Sequence, residues 1–144
     1  MAKPGSTDPR GVSQAEPFQY AIVRIVPRVE RGEAFNAGVV LFCRPKRFLG
    51  ARTELDEALL AALAPGCDPA EVRAQLETLV AVAEGRAEGG RVAAMPQSER
   101  FHWLTAPAST IVQPSPVHTG LTGDPAGELE RLFAELVSRP GRRG

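Results

Sequence analysis

At 144 residues with 43% hydrophobic content, the chain has the length of a single domain with one core, too short for two. Seventeen Lys/Arg balance seventeen Asp/Glu, which argues against binding through phosphates, since that normally needs a clustered basic excess; nucleic acid is not an expected partner. No apolar run approaches the roughly 18 residues of a membrane span, and the N-terminus lacks the apolar stretch of a signal peptide, so a cytoplasmic location without membrane contact is expected.

Residues 1–16 carry Pro4, Gly5, Pro9 and Gly11 with little to bury and read as a disordered leader, and residues 140–144 as a disordered tail, leaving 17–139 as one domain. Phe18 to Val26 is β-branched and aromatic, a strand with Tyr20, Ile22, Arg24 and Val26 on one face. A charged loop with Gly32 leads into a second strand, Ala34 to Cys43. Strict alternation places Phe35, Ala37, Val39, Leu41 and Cys43 on one side and Asn36, Gly38, Val40 and Phe42 on the other. After a turn at 44–47, Phe48 to Thr53 completes a three-stranded meander.

Asp56 then caps a short helix closed by Pro65-Gly66. Asp68, Pro69 and Glu71 give a cap, a first-turn proline and a capping-box acid, and Val72, Leu76, Leu79 and Ala83 line one face up to Gly85. Residues 100–120 contain both histidines, the single tryptophan, and Pro107, Pro114 and Pro116; they read as an extended ribbon anchored by buried Phe101 and Trp103. Asp124-Pro125 opens a final helix that buries Leu129, Leu132, Phe133, Leu136 and Val137. The fold class is α+β: an antiparallel sheet, made of the meander and a later extended strand, covered on one face by about three helices.

Charge is uneven along the chain. Residues 1–55 hold nine Lys/Arg against five Asp/Glu, and residues 56–85 hold one against six. The two cysteines, Cys43 in an apolar run and Cys67 in a turn, form neither a disulfide framework nor a metal spacing, and no metal or cofactor is expected.

The candidate binding residues are Arg24, Asn36, Arg100, His102, Gln113 and His118. Arg24 lies between Ile22 and Val26, and a charge inside a strand must be answered, either by a structural partner such as Glu33 or by an external anion. Asn36 and Gly38 interrupt an apolar strand, which fits a bulge packed under a helix or a ligand contact. His102 and His118 are the candidate catalytic acid and base, since imidazole is the side chain suited to proton transfer at neutral pH, although their spacing matches no known arrangement. No nucleophile elbow, Walker loop or dinucleotide fingerprint is present.

Tyr20-Ala-Ile-Val-Arg-Ile-Val-Pro27, Gly32-Glu-Ala-Phe-Asn-Ala-Gly-Val-Val-Leu-Phe42, Phe101-His-Trp-Leu-Thr-Ala-Pro107 and Thr110-Ile-Val-Gln-Pro-Ser-Pro-Val-His-Thr-Gly120 resemble, in that order, the small bacterial family known as domain of unknown function 3037. The resemblance covers roughly residues 18–139 and implies no assigned activity. It implies a gene neighbour, a HipA-like kinase, as the partner of a toxin–antitoxin-like pair. The expected function is therefore a non-enzymatic binding or regulatory module with residues 100–120 and the exposed meander as its contact surface. The alternative is a small enzyme on a phosphate-containing or nucleic-acid substrate, with His102 and His118 as acid and base and Arg24 and Arg100 holding anionic oxygens.

Overall fold

The computed structural model of the chain describes residues 14–28, 31–108 and 110–138. Three strands, β1 (Glu16–Arg28), β2 (Glu33–Cys43) and β3 (Phe48–Thr53), form the expected antiparallel meander. The expectations for the leader and tail fall outside the described residues except at 14–16, where Glu16 already belongs to β1. Two short strands, β4 (Val112–Pro114) and β5 (His118–Thr122), both pair with the free side of β1. Across the sheet the order is β3-β2-β1-β4, with β5 continuing beside β4 along β1.

β4 and β5 are one edge strand broken by a bulge. Pro114 faces Val23 and His118 faces Tyr20, so three residues, 115–117, stand opposite two of β1. The Ser115 hydroxyl accepts the Ile22 amide at 2.8 Å, and the Ser115 amide donates to the Ile22 carbonyl at 2.8 Å. A side chain thus closes the ladder where the backbone bulges, leaving no buried β1 donor without a partner at this point.

Five α-helices are described, not about three: α1 (Glu57–Leu63), α2 (Pro69–Glu84), α3 (Gly90–Ala93), α4 (Gln97–Thr105) and α5 (Pro125–Leu136). The aspartates act as caps where expected. The Asp56 carboxylate accepts the Leu59 amide, Asp68 the Ala70 amide and Asp124 the Gly127 amide, each at 3.0–3.1 Å. Gly85 ends α2 at φ 72°, a left-handed conformation that glycine adopts without strain.

Helices cover both faces of the sheet, which corrects the expectation of a single covered face. Leu60 of α1, Val72 and Leu76 of α2 and Phe101 of α4 pack with Val23 and Ile25 on one side. Leu129, Leu132 and Phe133 of α5 pack with Phe18, Leu41 and Cys43 on the other. The strict alternation expected for β2 also fails. Val23 pairs with Gly38 but Arg24 pairs with Asn36, so Ala37 is an extra residue and the strand changes face there. Phe35 and Ala37 therefore share a core with Val40 and Phe42, while Val39, Leu41 and Cys43 face α5. Gly38 suits the bulge because β3 comes close: a Cβ there would lie 2.6 Å from the Arg52 carbonyl oxygen and 2.8 Å from Thr53 Cγ2.

Candidate binding groove

The segment read as an extended ribbon is helical over its first part. Residues 97–105 contain neither proline nor glycine, Pro96 precedes them with φ −57°, and Phe101 and Leu104 fall three apart on the buried face. The helix stops because Ala106 precedes Pro107 and takes ψ 149°, the extended conformation required before proline. Pro107, Pro114 and Pro116 constrain only themselves and their predecessors, so they leave residues 100–105 free to coil.

This helix changes the standing of the two aromatics. Phe101 is 6% exposed and lies against Phe42, ring centroids 5.2 Å apart. Trp103 is 48% exposed, so it is not the buried anchor that its neighbour is. It borders a groove of about 530 Å³ between α2 and the chain from Trp103 to Pro114. Val23, Leu104 and Val112 line its inner part, and Ala74, Gln75 and Thr78 of α2 form the opposite wall. Small residues at 74, 106 and 108 leave the space open, and Gln75, Thr78 and Thr110 supply its polar groups. An apolar concavity with few polar groups and a half-exposed tryptophan is the kind of surface that receives an apolar side chain or ligand.

β4, which lines this groove with Val112 and Pro114, is an edge strand of the sheet. Backbone bonds from Ser115 to Ile22 and from Val26 to Ile111 fix the bonded pairs at alternate residues, so Pro114, opposite Val23, turns its nitrogen outward. That nitrogen carries no hydrogen, which blunts the edge against an added strand.

The candidate residues fall into separate places. Asn36, Arg24 and Gln113 form a row across β2, β1 and β4, and cross-strand partners share a face. That face is the one that carries α5, because the Asn36 amide donates to the Leu136 carbonyl at 3.0 Å, closing the end of the helix. The Gln113 amide donates to the Thr110 carbonyl at 2.9 Å. Arg24 has no ion-pair partner among the described residues, and its Nε is buried without a hydrogen bond; Glu33 pairs with Arg31 instead. Arg100 is spent on structure: its guanidinium donates to the Met95 carbonyl at 2.7 Å and the Ala83 carbonyl at 3.3 Å, tying α4 to the end of α2.

The two histidines are not brought together. His118 stacks on Tyr20, ring centroids 5.1 Å apart, on the side of the sheet that carries α5. His102 is exposed on α4, which packs on the opposite side. Acid–base work on one substrate needs both groups within hydrogen-bond reach of it, and the sheet stands between these two. Both thiols are free, Cys43 buried and Cys67 partly exposed. Among the described residues, no helix is long and apolar enough to cross a membrane.

Sequence reading missed Ala74, Gln75 and Thr78. Their only signal was that α2 has small and polar residues beside its apolar face, which is ordinary for a surface helix. Trp103 was singled out, but for burial.

The fold and groove define an α+β domain on a bulged antiparallel sheet with an open apolar recess on one face. The chain belongs to the family described as protein of unknown function DUF3037, whose model matches residues 20–137. No curated protein and no solved structure matches the chain.

Proposed function

We propose that the chain is a non-enzymatic, cytoplasmic binding module that takes an apolar segment of a partner protein into the groove beside Trp103. The partner is the HipA-like kinase that the family resemblance implies, in a toxin–antitoxin-like or regulatory pair. The observation that carries this reading is the half-exposed Trp103 at the border of an apolar groove, since tryptophan at such positions commonly dominates binding energy. The blunted β4 edge favours side-chain insertion over strand addition. The separation of His102 and His118 by the sheet supports this reading over the hydrolytic alternative.

Calorimetric titration of the kinase with wild type, Trp103→Ala and Thr78→Arg tests the proposal. Each substitution is expected to weaken binding by about 2 kcal/mol or more, roughly 30-fold, the first by removing the anchor and the second by filling the groove. Unchanged affinity in both variants would refute it. Phosphoesterase activity abolished by His118→Ala, with the fold intact, would replace it with the enzymatic reading.

A further inference from the structure

The groove has a charge pattern as well as a shape. On α2, Glu71, Gln75 and Thr78 follow one another at four- and three-residue steps, so Glu71 continues the stripe that forms the groove wall by one turn. On α4, Glu99 stands one turn before Trp103 on the same stripe. The two helices run back along each other: Arg100, near the start of α4, reaches Ala83 at the end of α2, whereas Trp103 and Leu104 line the groove with Ala74 to Leu79. Glu99 and Glu71 therefore stand toward opposite ends of the groove.

Both carboxylates are exposed, and neither has an ion-pair partner among the described residues. The arginines carried by α2 and α4 themselves are engaged elsewhere. Arg73 pairs with Glu57, Arg100 with backbone carbonyls and, just past the end of α2, Arg86 with Glu84. An apolar recess with an unanswered carboxylate toward each end complements a segment with an apolar centre and a cation on either side.

We infer that the groove selects a short protein segment with an aromatic or aliphatic anchor flanked on both sides by lysine or arginine. This rests on the groove being the binding surface. Trp103 is the single tryptophan, so its fluorescence reports on the groove directly. The full chain is titrated with the peptides KKALFLAKK, SSALFLASS and EEALFLAEE. The lysine peptide is expected to shift Trp103 emission and to bind about 3–10-fold more tightly than the serine peptide, as two exposed charge pairs allow, with the glutamate peptide weakest. The order of the charged peptides should reverse in the Glu71→Lys/Glu99→Lys double variant, and Thr78→Arg should abolish the response to all three.

Equal affinities for the three peptides would overturn the charge selection while leaving the groove as a binding surface. No Trp103 response to any peptide at millimolar concentration, or a response that survives Thr78→Arg, would overturn both.

Discussion

Replacing Phe101 and Trp103 by alanine, one at a time, separates a buried core aromatic from the half-exposed aromatic two residues away. Phe101 is buried against Phe42 beneath α4, so its truncation removes nearly the whole ring from a packed core and leaves a cavity; about 3–5 kcal/mol is expected. Trp103 keeps about half of its surface in water, so only roughly 100 Å² of the roughly 200 Å² such a side chain can bury is withdrawn. At about 25 cal/mol per Å² this gives at most about 2.5 kcal/mol, and compaction of the unfolded chain lowers it to about 1.5–2 kcal/mol. The assay is urea unfolding followed by far-ultraviolet circular dichroism, which does not depend on the tryptophan that one variant lacks. Trp103→Ala should unfold at a clearly higher urea concentration than Phe101→Ala. Equal losses of stability in the two variants would refute the placement of Trp103 at an open groove and return it to the core.

Two further substitutions probe what holds the groove in place. Gly38→Val should destabilise by about 1–3 kcal/mol or more in the same urea experiment, because the new Cβ meets the backbone of β3 rather than a flexible side chain; a neutral effect would mean that β2 and β3 do not approach closely at the bulge. Arg100→Ala should cost about 1.5–3 kcal/mol by leaving the carbonyls of Met95 and Ala83 without their charged donor, and Arg100→Lys should recover only part, since one ammonium does not reproduce the two-pronged geometry; full recovery by lysine would show that a single bond suffices.

The elements legible in the sequence were those specified by local chemistry. β1 to β3 announced themselves as β-branched and aromatic runs, and Asp56, Asp68-Pro69 and Asp124-Pro125 marked three helix starts because capping depends on a few adjacent residues. What was hidden depended on distant parts of the chain. The face of the sheet on which α5 docks is not written in its own periodicity, which says only that one side is apolar. The interruption at Asn36 and Gly38 suggested a bulge, but its consequence, that Val40 and Phe42 join Phe35 rather than oppose it, requires the register against β1. The helix at 97–105 was lost for another reason: prolines downstream were allowed to speak for residues they do not touch. The groove itself is a concavity between α2 and α4, and no local pattern encodes a space.

The same prolines acquire a different meaning once the helix is placed. Pro107 terminates α4 just after Trp103, so the chain leaves the helix there and lines the groove through Ala108 and Thr110 before it enters β4. Pro114 then removes one outward donor at the edge of β4, and Pro116 sits in the bulge whose register Ser115 secures. A free sheet edge beside an apolar groove would invite nonspecific pairing with any extended chain, because backbone groups bind without regard to sequence. Under the proposed function, blunting the edge leaves recognition to side chains entering the groove, where size and charge discriminate between partners. The concentration of proline between residues 107 and 116 is thus what the proposed selective binding surface calls for, and the two histidines that bracket it stand on opposite sides of the sheet.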